Sequence, residues 1–368
     1  MKDIKVSIIG ANGYAGGTIA GLLLKHPNVG AKNIISLIGS RSAGKHYGEF
    51  APHLFELKDR VIDTFGLDKI AGSDVIFLAL PHQKSADIIN EIEKNDEFKN
   101  VLIIDISADH RLENKQDWDD YYGGEYLGCW DYGMPELLTS SDDDTQIKHR
   151  EILKQSKRIA IGGCNVTAIS LALQPLINAD AIHLDDIVAV LANGYSGAGK
   201  SFKDHLLASE AFSNALPYAT GGSHRHIPEI LQNFKKIKNC DPSISFTPTL
   251  VPMSRGILAT ISVKPNSPNT DINKLNSLYN DFYKDEPFVH ICDPFSDSPI
   301  QTMPNVKSVT GTNLISIGFT YDKRADRILV VSAIDNLVRG TAGSAIQSMN
   351  IALDIDEIAG LDLTPTYP

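Results

Sequence analysis

Cysteine is scarce in this sequence. Only Cys129, Cys164, Cys240 and Cys292 occur in 368 residues, and no two stand at a metal-binding pair spacing. That argues against a disulfide scaffold and a cysteine metal cluster, and leaves separate thiols of the kind kept reduced in a cytosol. Long apolar runs are missing too, since none approaches the about 18 residues that span a bilayer. Positive charge is in deficit. Lys and Arg number 34 against 45 Asp and Glu, a net −11. This balance disfavours nucleic acid or anionic membrane as partners and demands a local basic site for any anionic ligand. No secretory leader is expected, because Lys2-Asp3-Ile4-Lys5 runs straight into an apolar strand. With 42% hydrophobic and 21% charged residues the composition is that of a globular protein, and the length allows two domains with cores of their own. A cytoplasmic enzyme is the expectation. There is no internal repeat.

What is present starts at the N-terminus. The apolar strand Ile4–Ile9 is followed by Gly10-Ala11-Asn12-Gly13-Tyr14-Ala15-Gly16, then by a helical pattern over Thr18–His26 that Pro27 stops. A strand, a glycine turn and a helix form a phosphate cradle, in which glycines admit the pyrophosphate and the helix N-terminus holds it. The spacing is Gly-x-x-Gly-x-x-Gly rather than the commoner Gly-x-Gly-x-x-Gly, so a turn that only packs a helix on a strand also fits. The second strand, Ile34–Ile38, runs into Gly39-Ser40-Arg41-Ser42 without the acidic residue that NAD-binding chains present to the ribose. Two hydroxyls and a guanidinium suit a 2′-phosphate, which points to NADP. A solvated loop arginine is the alternative.

Strand and helix keep alternating: strands over 74–80 and 101–106 with a helix over 85–93 between them imply a doubly wound parallel sheet. Residues 113–150 read as polar and irregular, with Ser140–Thr145 as a flexible surface loop. Beyond Cys164 the texture changes. Strand-like runs at 186–192, 243–246, 256–263, 314–320 and 328–333 suggest a largely antiparallel second domain, and 336–352 reads as a long helix. The fold class is therefore α/β, with an N-terminal doubly wound domain and an α+β second domain.

Cys164 lies in Ile159-Ala-Ile-Gly-Gly-Cys-Asn-Val-Thr-Ala168, where a strand-like run and two glycines lead into a helix. A thiol at a helix N-terminus meets free N–H groups and the positive end of the dipole, both of which favour the nucleophilic thiolate. A buried, inert cysteine is the competing reading. Gly194-Tyr-Ser-Gly-Ala-Gly-Lys-Ser201 fits a P-loop pattern after a strand, so an NTPase is a rival of another class, disfavoured because the first βα unit already serves a nucleotide. Gly221-Gly-Ser-His-Arg-His-Ile-Pro-Glu-Ile230 carries two histidines around an arginine. No carboxylate or cysteine stands at ligand spacing, so no metal is expected. A surface turn remains open, and a histidine acid/base beside an arginine is favoured. Alternation along an extended segment is expected to separate the roles of His224 and His226.

Together these segments resemble the N-acetyl-gamma-glutamyl-phosphate reductase family over essentially the whole chain. The motifs that carry the resemblance are the Gly10–Gly16 turn, Phe77–His82, Ser107–Leu112, Tyr132–Leu137, the segment 159–175, Ser196–Gly199, His224–Ile230, Arg255–Leu258, Gly311–Asn313 and Ile334–Gly340. The resemblance implies that residues 1–163 and 334–368 bind NADP and that 164–333 form a catalytic and oligomerisation domain. It implies Cys164 as nucleophile and His224 as its acid/base partner. Gly10, Asn12, Gly13, Tyr14, Ala15, Gly16, Ser40, Arg41, Ser42, Leu80, Pro81, Gly197 and Asn336 would contact the cofactor, and Arg111, Ser196 and Arg255 the substrate. The implied reaction is NADPH-dependent reduction of a small acyl phosphate, N-acetyl-glutamyl 5-phosphate, to the semialdehyde in arginine biosynthesis, by a homo-oligomer, a tetramer in this family.

Two positions depart from the family's usual Pro-Gly-Cys-aromatic pattern: Gly162 and Asn165. Cys-Asn also resembles relatives that reduce carrier-protein-linked glutamyl or aminoadipyl phosphates, an alternative acyl cap. The Ser-Gly-Ala-Gly and His-Arg-His-Ile-Pro-Glu-Ile segments favour the free N-acetyl substrate. Aspartate-semialdehyde dehydrogenase is a more distant resemblance with the same chemistry.

Overall fold

A computed structural model of the chain describes residues 3–140 and 145–367. Two compact units emerge: Met1–Pro135, Arg150–Gly162 and Thr341–Leu361 form the first, and Glu136–His149, Gly163–Gly340 and Asp362–Pro368 the second. Residues 136–149, 163, 334–340 and 362–368, which the sequence grouped with the cofactor domain, fall in the second unit.

In chain order the strands up to Cys164 are β1 (Val6–Ile9), β2 (Ile34–Ile38), β3 (Val75–Leu78), β4 (Leu102–Asp105), β5 (Asp131–Tyr132), β6 (Leu138–Ser140), β7 (Gln146–Lys148) and β8 (Arg158–Ala160). β6 and β7 pair antiparallel in the second unit. The other six form a wholly parallel sheet in the order β2-β1-β3-β4-β8-β5. Every residue of β1, β3 and β4 is buried, which is why they read as near-continuous apolar runs rather than alternating ones. The one polar residue inside β1, Ser7, shares hydrogen bonds with Ser73 (2.8 Å) and Ser36 (2.9 Å), so its burial leaves no hydroxyl unsatisfied. Helices Tyr14–Lys25 and Gly343–Ala352 pack together, and the His26 ring meets Asn350 at 3.0 Å.

Residues 113–150 are more regular than the sequence suggested. Asn114 caps a helix over Lys115–Tyr121, accepting from the Gln116 N–H at 2.7 Å, and Trp118 anchors it. Its single buried face-setting residue gave no apolar period to read. Residues 141–144 of the expected loop lie outside the described residues.

The second unit adds β9 (Ile182–Asn193), β10 (Leu216–Pro217), β11 (Ile244–Leu250), β12 (Ile257–Pro265), β13 (Val289–Ile291), β14 (Ile315–Asp322) and β15 (Arg327–Ile334). They make one sheet, β10-β11-β9-β12-β15-β14-β13, in which four of six pairings are antiparallel, as expected. Helices Cys164–Asn178, His226–Ile237 and Ile272–Tyr283 cover one face. On the other face Val188 and Val190 are 37% and 48% exposed. Among the described residues no helix is long and apolar enough to cross a membrane.

Candidate active site and cofactor cradle

Cys164 is the first residue of the Cys164–Asn178 helix, after Gly163 at its N-cap. The helix is buried from Asn165 to Ile177, while the thiol residue itself is partly exposed. No side chain caps this terminus. The Gly163 N–H instead donates to Glu229 Oε1 (2.8 Å), a wholly buried carboxylate on the neighbouring helix. Packing around the thiol is close on both sides. A Cβ on Gly163 would fall 2.5 Å from His226 Nε2, and one on Gly340 would fall 2.6 Å from Cys164 Cβ. Glycine at both positions lets the Gly340 backbone close on Cys164 Cα and Cβ and the His226 ring close on the residue before the thiol.

His224 is buried, with its ring centroid 4.8 Å from Phe246, 4.8 Å from His226 and 5.6 Å from Tyr218. The segment is not extended as the sequence suggested, because His226 opens the helix His226–Ile237 and its N–H donates to His224 Nδ1 (3.1 Å). A backbone N–H can only donate, so Nδ1 is bare and the neutral ring carries its proton on Nε2. Burial, with Arg225 beside it, pushes the imidazole down to about 4, so it stays neutral at pH 7. Tyr218 accepts from Asn193 Nδ2 (2.8 Å); its phenol is pushed up by burial first, with the charge of Cys164 adding to the effect. Cys164, His224, His226 and Tyr218 thus belong to one cluster.

Ser196, Gly197, Arg255 and Asn336 meet in the same unit. Asn336 Oδ1 accepts from the Gly256 N–H (2.6 Å), and its Nδ2 donates to Ser196 Oγ (3.0 Å). Arg255 Nε lies 3.1 Å from the buried Asp335 carboxylate, which also receives the N–H groups of Gly311, Leu337 and Val338. The P-loop reading of Gly194–Ser201 does not hold. Its N–H groups at 194, 195 and 196 donate to Gly256, Met253 and Ser254 carbonyls, and a short 3₁₀ turn, Tyr195–Ala198, follows the strand instead of a helix. Amides so committed cannot cradle a phosphate.

In the first unit, strand order reverses between β1 and β3, and the glycine turn sits at this switch point. Gly10 has φ +89°, and a Cβ there would lie 2.7 Å from Ala79 C; one on Gly16 would lie 2.8 Å from Ala11 Cα. The first glycine permits the tight turn and the last brings the helix against it, as a pyrophosphate cradle requires. Gly13 is the N-cap of Tyr14–Lys25 and no side chain fills that end. Asn12 leans toward Gly39, its Oδ1 3.0 Å from where a Cβ on that residue would stand. Ser40 and Arg41 are exposed at the end of β2, whereas Ser42 is buried with its hydroxyl packed against Gly39. Leu80 and Pro81 follow β3. Their loop is held by Asp109, which accepts from the Gln83 N–H (2.9 Å) and Ser85 Oγ (2.6 Å). Arg111 is buried and donates to the Ile106 carbonyl (2.7 Å), so it braces this loop system.

Family models match both units. Residues 5–144 fit the semialdehyde dehydrogenase NAD binding domain and 164–336 the semialdehyde dehydrogenase dimerisation domain. The N-acetyl-gamma-glutamyl-phosphate reductase of Streptomyces avermitilis is 44% identical over 365 residues, 99% of each chain, and that of Leifsonia xyli 43% over 363, again 99% of each. The chain belongs to the N-acetyl-gamma-glutamyl-phosphate reductase family. Its fold is shared more widely. Aspartate semialdehyde dehydrogenase II of Vibrio cholerae superposes with a TM-score of 0.66 at 18% identity, covering 96% of this chain and 99% of that one. The Candida albicans aspartate semialdehyde dehydrogenase solved with NADP gives 0.62 at 19%, covering 95% and 98%. A nicotinamide dinucleotide is the family's cofactor, and the steric demands at Gly10 and Gly16 fit one. Three residues of this family member were not singled out from sequence as site residues: Tyr218, Asn193 and Glu229. Glu229 falls inside a quoted motif, but nothing distinguishes Tyr218 among 12 tyrosines before the chain is folded.

Proposed function

We propose that the protein reduces N-acetyl-L-glutamyl 5-phosphate to N-acetyl-L-glutamate 5-semialdehyde and phosphate, with NADPH, as a cytoplasmic step of arginine biosynthesis. The observation that carries this is the fixed thiol at the head of a buried helix, flanked by two obligatory glycines and clustered with a neutral histidine. Full-length similarity to reductases named for this substrate supports the choice of acyl phosphate.

Cys164 thiolate attacks the acyl carbon, the carbon–oxygen bond to phosphorus breaks, and phosphate departs to leave a thioester. The helix terminus favours the anionic sulfur without a strong adjacent base. His224 holds its proton at Nε2 and donates it as a hydrogen bond to the tetrahedral oxyanion, the role a neutral imidazole fills better than an imidazolium that would have to stay charged in a buried site. Arg255, braced by Asp335, supplies a partly exposed positive charge for the substrate's carboxylate or phosphate. Ser40 and Arg41 would receive a 2′-phosphate, and the Gly10–Gly16 turn the pyrophosphate. The dinucleotide, when bound, contributes the hydride. A second copy covers the exposed Val188 and Val190 face, consistent with a dimerisation domain, and a tetramer is the full assembly we propose.

Denatured-protein mass spectrometry of enzyme incubated with the acyl phosphate alone should show an acyl adduct on Cys164. Cys164→Ser should abolish reduction while still binding NADPH. No adduct, together with substantial activity in Cys164→Ser, would refute covalent catalysis.

A further inference from the structure

Two buried carboxamides near Cys164 each carry an oxygen that the described residues leave unsatisfied. Asn165 follows the thiol in the first turn of its helix and is 2% exposed; Asn193 ends β9 and is 5% exposed. Neither Asn165 Oδ1 nor Asn193 Oδ1 has a hydrogen-bond partner. A buried orphan of this kind costs about 1–3 kcal/mol, and two around one phenol beside a reactive thiol call for a ligand that completes them.

Tyr218 joins the two amides. Asn193 Nδ2 donates to its hydroxyl oxygen, and the Asn165 side chain acts on the same phenol, opposing the upward push of burial. An amide donor thus occupies the phenol's acceptor side and leaves its own proton to turn outward. The patch offers two acceptors and one donor, all three uncharged side chains. A secondary amide fits, its one N–H shared between the two oxygens and its carbonyl accepting from the hydroxyl. A free ammonium would bring a full charge and three donors to a patch whose own three side chains include no carboxylate.

We infer that Asn165 and Asn193, with Tyr218, select a substrate whose amine is acylated. The amide N–H goes to the carboxamide oxygens and the acyl oxygen to the Tyr218 hydroxyl. The inference rests on acyl-phosphate chemistry at Cys164 and adds to it the residues that recognise the acyl cap. Asn165, the departure from the family's aromatic, thereby gains a role.

The test runs the reaction backwards, as phosphate-dependent oxidation by NADP of N-acetylglutamate 5-semialdehyde and of 5-oxopentanoate, the same chain without the acetamido group. Wild type should favour the acetamido substrate in kcat/KM. In Asn193→Leu that preference should fall about 10- to 100-fold, the range for one hydrogen bond to a buried amide. Asn165→Ala, a local change in a helix turn, should also lower it and serves if the first variant does not fold. A ratio unchanged in both variants, or equal losses on the two substrates, overturns the inference while leaving the reaction intact. Wild type that oxidises 5-oxopentanoate as well as the acetamido substrate does the same. Wild type that oxidises neither overturns the proposed function and this inference with it.

Discussion

Gly340→Ala is the sharpest test of whether the thiol's position, and not merely its presence, makes the enzyme. The new Cβ would stand 2.6 Å from Cys164 Cβ and 3.1 Å from its Cα, with Ile334 Cδ1 at 3.3 Å on another side. Carbon atoms rest about 3.5–4.0 Å apart, so something must yield by about 1 Å. The Gly340 backbone cannot drift easily, because its N–H is bonded to the Asp335 carbonyl (3.0 Å) and Asp335 in turn holds three other amides. The helix carrying Cys164 is the element that moves. Displacing a reacting group by about 1 Å costs on the order of 100-fold in rate, and overpacking costs about 1–3 kcal/mol of stability. Turnover of the semialdehyde with NADP and phosphate should fall by about that factor. Dinucleotide binding, followed by fluorescence quenching, should hold within about twofold. A folded Gly340→Ala enzyme with turnover within about threefold of wild type would refute the claim that these contacts set the sulfur.

Arg41→Ala should weaken NADPH binding and leave NADH nearly untouched, because the lost guanidinium pairs only with the 2′-phosphate; equal use of both cofactors by wild type would remove the basis for this. His224→Asn should lower turnover by about 10²–10⁴-fold, the range for a positioned acid/base, and a loss under about tenfold would reassign the oxyanion donor. Since burial holds His224 down to about 4, the folded chain leaves it neutral where the unfolded chain, titrating near 6.5, has already taken a proton. The unfolded state binds more protons in that window, so stability is full above about pH 6.5 and declines by about 3 kcal/mol as pH falls toward 4. Chemical denaturation of wild type and His224→Asn across that range should show this share of the acid slope vanish in the variant; identical slopes would mean the ring is not buried neutral. Lys200→Arg should retain activity, and calorimetry should detect no ATP binding to wild type, since the loop amides at 194–196 are already donated.

Much of the cofactor unit was legible because its signals are local. β2 spans the expected 34–38, and Pro27 ends the first helix as proline must. Cys164 at a helix head could be read from two glycines between a strand and a helical period. What stayed hidden depends on contacts between distant residues. The helix at His226 was missed because the His224 ring, not a Ser or Asp, receives its first N–H. Ser42 looked equivalent to Ser40 until the turn folded it under Gly39. Arg111 had the charge of an anion anchor, and only the folded chain shows that one of its guanidinium N–H groups goes to the Ile106 carbonyl. The Tyr218, Asn193 and Asn165 set joins a loop, a strand end and a helix head far apart in the chain, a combination no motif records.

The Gly343–Ala352 helix lies against Tyr14–Lys25 and β4, and Asn350 meets His26 across 324 residues of chain. The ribosome therefore releases the first strand and turn long before the segment that closes over them. Until that helix emerges, the apolar side of Tyr14–Lys25 has no cover, and a nascent chain is expected to lean on chaperones for most of its synthesis. A fragment cut after residue 162 would carry every residue of the glycine cradle and still fail to hold it, because the lid of its core is encoded far downstream, from Thr341. Attempts to graft this dinucleotide module onto another protein would have to bring 341–361 along, and a circular permutant that joins that segment directly to residue 3 should fold the module faster than the natural order does, since the loop to be closed becomes short.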